Sequence, residues 1–125
     1  MPRSLALLAS AACIALLSTE AFAAKCYVRE YAAVGAVTRQ GGVALQAAAE
    51  PPIVDQAAVD FTSGHAESAA FNSETRYIRV WCDAQASYQT GAAPVATNAM
   101  SPLTAAFPEY FGVTPGHKIS VVANP

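Results

Sequence analysis

The sequence predicts an all-β fold: a single small antiparallel β-sandwich, jelly-roll or immunoglobulin-like, over residues 24–125, preceded by a signal peptide. Three observations carry this. In Thr75 to Gly91 (TRYIRVWCDAQASYQTG), Ile78, Val80 and Cys82 alternate with Tyr77, Arg79 and Trp81, the two-residue period of a half-buried strand rather than a helical stripe. Further short runs of the same kind are separated by Gly, Pro and Asn turn signals, the pattern of sandwiches and barrels. No long helical pattern follows Ala24.

The chain begins with the three parts of a secretory signal peptide: Arg3 as a positive n-region, the apolar run Leu5 to Leu17, and Ala21-Phe22-Ala23 as a small-x-small cleavage site. The apolar run is shorter than the roughly 18 to 20 residues a membrane span needs. Residues 1–23 therefore read as a cleaved signal and residues 24–125 as one domain, periplasmic or secreted, with no stable membrane anchor. Cys13 lies inside the apolar run and Cys26 follows a lysine, so neither fits an acylation site.

The chain of 125 residues has a formal net charge of −2 with 13% charged residues, and cleavage removes Arg3 and Glu20 together, leaving the balance unchanged. The basic residues are few and scattered. Nucleic acid and anionic headgroups both demand clustered Lys and Arg, so neither is an expected partner. Cys13 leaves with the signal, and Cys26 and Cys82 are expected to form a disulfide in an oxidising compartment. Closing that loop is worth on the order of 4 kcal/mol in denatured-chain entropy. No C-x-x-C spacing marks a redox pair.

Along the mature chain, CYVREY opens a strand in which Cys26 and Val28 alternate with Tyr27, Arg29 and Tyr31. A buried bridge would turn Cys26 and Cys82 inward and the aromatic and arginine side chains outward. The two strands are then neighbours, or face one another across the core. Gly35 and Gly41-Gly42 argue against a helix over Ala32 to Gln46, which reads as strand, turn, strand. Glu50-Pro51-Pro52 ends that element. Ala57, Val59 and Phe61 give a weak inward set, Thr62 to Glu67 a polar loop, Ser68 to Phe71 a short strand, and Asn72-Ser73-Glu74 a turn. Asp83 to Ser87 interrupts the alternation, Tyr88 and Thr90 resume it, and Gly91 ends it. Pro94, Pro102 and Pro108 mark the following segment as a surface crossover or edge. Glu109 to Val113 and Lys118 to Ala123 flank Thr114-Pro115-Gly116-His117, with Pro and Gly where a type II turn prefers them.

The catalytic and metal-binding patterns are weak. Ser63, Gly64 and His65 place a nucleophile near a base, and Asp55 or Asp60 could complete a hydrolase triad on paper, but no G-x-S-x-G elbow is present. A blue-copper site needs a free thiolate and two histidines. Cys82 has a disulfide partner, no histidine closely follows it, and His65 and His117 are far apart. No catalytic residue, metal or cofactor is expected. The strongest candidate is the outward row Tyr27, Arg29, Tyr31, Tyr77, Arg79 and Trp81, because aromatics and arginine dominate binding hot spots and stack on planar or sugar surfaces. Ordinary cross-strand sheet stabilisation uses the same residue types.

The segments EPPIVDQ (Glu50 to Gln56), TRYIRV (Thr75 to Val80), GAAPVAT (Gly91 to Thr97) and EYFGVTPGHKISVV (Glu109 to Val122) resemble small β-rich proteins, mostly uncharacterised, of phage and prophage structural regions in alphaproteobacteria. The resemblance implies a non-enzymatic structural or decoration module of a virion and carries over no functional residue. The signal peptide and the Cys26/Cys82 pair depart from that setting, since a virion subunit assembled in the cytoplasm needs neither. The expectation is an exported, disulfide-stapled module that acts by binding or assembly. Its expected partner is a protein, a glycan or further copies of itself, with a small periplasmic hydrolase the least favoured alternative.

Overall fold

The computed structural model describes residues 23–35, 38–40, 43–45 and 47–125; apart from Ala23, the signal-peptide segment lies outside them, as does the Gly41-Gly42 turn. Eleven strands follow in order: β1 (Lys25–Tyr31), β2 (Thr38–Gln40), β3 (Val43–Leu45), β4 (Val54–Asp55), β5 (Val59–Asp60), β6 (Ala66–Glu67), β7 (Tyr77–Cys82), β8 (Ala86–Gly91), β9 (Ser101–Leu103), β10 (Glu109–Gly112) and β11 (Lys118–Ala123). The first sheet runs β10-β7-β1, with β4 and β5 both pairing along the far side of β1; the second runs β6-β11-β8-β9. All these pairs are antiparallel. β2 and β3 form a separate hairpin, with a bridge between Val34 and Ala48 at its base. At that base Gly35 donates its N–H to the Ala47 carbonyl at 2.6 Å, and a Cβ on Gly35 would lie 3.2 Å from the same oxygen. No helix occurs among the described residues.

Alternation places the core. Cys26, Val28, Ile78, Val80 and Cys82 of the first sheet meet Ala86, Leu103, Ile119 and Val121 of the second, joined by Val59, Phe61 and Phe71. Tyr88 of β8 and Phe111 of β10 stack between the sheets with centroids 4.9 Å apart. Burying each such aliphatic or aromatic side chain is worth about 1.5–3 kcal/mol, so the period-two pattern itself drives the sheets together.

β1 and β7 are neighbours in one sheet. Their register sets Cys26 opposite Cys82, and so on to Tyr31 opposite Tyr77. The Cys26–Cys82 disulfide joins these directly opposed positions, whose Cα atoms lie 4.0 Å apart. It ties strands within a sheet rather than sheet to sheet. The chain passes between the sheets elsewhere, at the β5–β6, β6–β7, β7–β8, β9–β10 and β10–β11 connections. The last of these holds the expected turn. His117 donates its N–H to the Thr114 carbonyl at 3.1 Å, and Gly116 takes φ of 79°, which a type II turn requires at that position.

Three local expectations are corrected. The strand placed at Ser68 to Phe71 lies earlier, at Ala66–Glu67 within the presumed polar loop. β6 pairs β11 there, and the following residues only continue its contacts, with Ser68 and Phe71 donating N–H to Ile119 and His117. Ala57 is exposed, while Val59 and Phe61 are buried, because pairing with β1 breaks between β4 and β5 and the alternation does not run through. The interruption after β7 spans only Asp83 to Gln85.

The inward row of β1 also holds an acid. Glu30 is 1% exposed and faces Ile78. Its Oε1 accepts from Gln56 Nε2 at 2.6 Å; its Oε2 accepts from the Asn72 N–H at 2.8 Å and from the Thr75 hydroxyl. Gln56 in turn brackets the backbone of Ala69. A buried polar group is tolerated when its lone pairs are used in this way, and here it fastens two connecting segments, β4–β5 and β6–β7, to the central strand.

Candidate functional site

The outer faces of the two sheets differ. On the second, Ser120 Oγ accepts from the Ala96 N–H at 3.0 Å, Gln89 Oε1 accepts from the Val95 N–H at 3.2 Å, and the Ser87 hydroxyl donates to the Met100 carbonyl at 3.3 Å. These bonds draw residues 92–100 over the β8–β11 surface, where Ser87, Ser120, Pro94 and Ala96 are buried. Much of that face is closed.

The first sheet keeps an open outer face. Register puts Tyr27 opposite Trp81, Arg29 opposite Arg79 and Tyr31 opposite Tyr77. β10 sets Tyr110 beside Arg79, and β4 sets Asp55 beside Arg29. Along β7, Trp81, Arg79 and Tyr77 recur every second residue, so the strip extends about 13 Å. The Tyr27 and Trp81 rings lie 5.5 Å apart with a 45° tilt. Tyr27 and Tyr110 are 43% and 55% exposed.

Tyr31 is corrected. It belongs to this face by parity but is 1% exposed: its ring stacks on Tyr77 at 5.1 Å and its hydroxyl donates to Glu50 Oε1 at 2.7 Å. Burial, and then the hydrogen bond to Glu50, raise its pKa above the ordinary tyrosine value. Tyr77 is half-covered and donates its hydroxyl to the Ala33 carbonyl at 2.9 Å. Returning chain from the hairpin base covers this end. Val34, Ala47 and Ala48 line a cleft of about 470 Å³ with Tyr77 and Tyr110.

The two facing arginines have unequal surroundings. Arg29 Nη2 lies 3.2 Å from Asp55 Oδ2 and Nη1 lies 4.0 Å from Glu50 Oε1. Asp55 raises its pKa above the ordinary value, against some desolvation, and Glu50 adds to the rise. Arg79 has no carboxylate within ion-pair distance among the described residues, and its buried Nε has no hydrogen-bond partner. A buried donor left unpaired costs about 1–3 kcal/mol. Tyr27, Arg29, Arg79 and Trp81 enclose a notch of about 30 Å³, close to the share of one water molecule.

The paper triad does not assemble. Ser63 and His65 are exposed, and no hydrogen bond joins them among the described residues. Asp60 Oδ1 accepts from the Thr62 hydroxyl at 2.6 Å and the Thr62 N–H at 3.0 Å, bonds that lower its pKa; Asp55 faces Arg29. No group of three or more His, Cys, Asp or Glu side chains is placed to hold a metal among the described residues.

Tyr110, Asp55 and Glu50 join the site although the sequence assigns none of them to this face, Asp55 entering only as a possible triad member. Parity within EYFG puts Tyr110 and Phe111 on opposite faces, but its position beside Arg79 follows only from long-range pairing. No protein-family model, curated protein or solved structure matches this chain.

Proposed function

We propose that the protein is an exported, non-enzymatic β-sandwich module that acts by binding through the outer face of its first sheet. A disulfide favours an oxidising compartment, and the signal-peptide pattern of residues 1–23 agrees with it. The observation that carries the binding reading is Arg79: an arginine without an acid partner among the described residues, its Nε unsatisfied by any of them, set among Tyr27, Trp81, Tyr77 and Tyr110 on the face that residues 92–100 leave uncovered. Sheet stabilisation accounts for the aromatic pairs. It does not account for an unpaired guanidinium directly opposite a second arginine, because like charges across strands destabilise.

The test is the double substitution Trp81→Ala with Arg79→Ala in the oxidised protein. Association with protein and glycan partners, and self-association by sedimentation, are compared with thermal stability. Losing a cross-strand aromatic pair costs up to about 1 kcal/mol, or roughly 4–8 °C in a domain of this size. Loss of association with a shift no larger than that supports the reading. A collapse of stability, or unchanged association, assigns the residues to the fold.

A further inference from the structure

We infer that the ligand of this face is an acidic sugar: a pyranose bearing one carboxylate, received by Arg79 beside the Tyr27–Trp81 pair. The inference rests on the binding reading above and names its ligand class. Three chemistries meet here, and each selects part of such a molecule. The buried, unpartnered Arg79 Nε selects an anionic acceptor, because a planar guanidinium edge matches a carboxylate in two parallel hydrogen bonds. The notch at Arg29, Arg79, Tyr27 and Trp81 has room for one oxygen-sized group. Arg79 itself lines that notch, so its guanidinium borders the space where such an oxygen would sit.

The tilted Tyr27 and Trp81 rings, 5.5 Å apart, offer apolar surface with a polar tip, suited to the C–H face of a sugar. Asp55 and Glu50, around Arg29, supply acceptors for hydroxyl groups. An acidic peptide satisfies Arg79 but brings no array of hydroxyl donors for Asp55 and Glu50.

Trp81 is the chain's single tryptophan, so its emission reports this site directly. The experiment titrates the oxidised protein with an oligogalacturonate, its methyl ester, a neutral gluco-oligosaccharide of equal length and oligoglutamate. Saturable change in Trp81 emission with the oligogalacturonate is expected, weakened at least tenfold by esterification. Arg79→Met, which keeps an apolar stem over the rings, should weaken it equally while the melting temperature stays within a few degrees. Arg79→Lys should restore it only in part. No response to any acidic sugar overturns the inference. Equal binding of acid and ester, indifferent to Arg79→Met, overturns it while leaving the binding face intact. An Arg79-dependent response to oligoglutamate as strong as to the sugar overturns the sugar assignment. Where Arg79→Met fails to fold, Arg79→Gln, which keeps the stem and its polarity without the charge, carries the test: weakened binding in that folded variant supports the site, and unchanged binding overturns the central role of Arg79.

Discussion

Replacing Glu30 by glutamine is nearly isosteric and tests whether the buried acid is a structural fastener. Both carboxyl oxygens of Glu30 accept, from Gln56 Nε2, the Asn72 N–H and the Thr75 hydroxyl. An amide at this position keeps one acceptor and adds a donor. The Asn72 N–H cannot turn, so the amide oxygen is held at the Asn72 side and the new NH₂ group faces Gln56 Nε2. Turning Gln56 relieves that clash only by reversing its own bonds to Ala69, at 3.0 Å from the N–H and 3.3 Å to the carbonyl. One bond to a charged acceptor, about 1.5–3 kcal/mol, is therefore lost and a donor is left facing a donor. The lower desolvation cost of the neutral amide offsets part of this. A net loss of about 2 kcal/mol remains, which in a domain near 100 residues lowers Tm by roughly 8–16 °C. Urea unfolding should show the midpoint falling with an unchanged m-value. A Tm within about 2 °C of the parent protein would refute the fastener role, since it would correspond to less than about 0.5 kcal/mol.

Three further outcomes follow from named contacts. Replacing Cys26 and Cys82 together by alanine should cost about 4 kcal/mol, because the bridge closes a loop with a sequence separation of 56; denaturation of the double variant beside the oxidised parent measures it, and a loss below about 1 kcal/mol would show that β1–β7 pairing already confines the denatured chain. Tyr31 has its pKa raised, first by burial and then by donation to Glu50. Its contribution to stability is complete below the unfolded tyrosine value near 10 and is lost as pH rises through the higher folded value. Urea midpoints of Tyr31→Phe should thus decline less steeply than the parent's above pH ~10, and parallel declines would remove Tyr31 as the cause. Gly116→Ala places a Cβ at φ of 79° and should cost about 1 kcal/mol, seen as a lower Tm; no change would mean that the turn relaxes out of the left-handed region.

Period-two alternation is a property of neighbouring residues, and what depends on it was legible in the chain. The strand nature of Lys25–Tyr31 and Tyr77–Cys82, the common inward parity of Cys26 and Cys82, and the outward parity of Tyr27, Arg29, Arg79 and Trp81 all follow from it. The turn at Pro115-Gly116 was legible for a different local reason, since backbone sterics alone select its residues. What the tertiary structure decided is which strands meet. Pairing within one sheet turned the bridge into a cross-strand tie. The return of residues 47–50 beside β1 buried Tyr31, although its parity is that of exposed Tyr27. β10 brought Tyr110 to Arg79, while Glu30 found its three donors 26 to 45 residues away. Ser87 and Ser120 hold a loop over one outer face and so leave the other as the open one. A strand's own sequence states which side chains share a face. It does not state what will lie against that face, because backbone hydrogen bonds at a sheet edge are nearly the same for every partner.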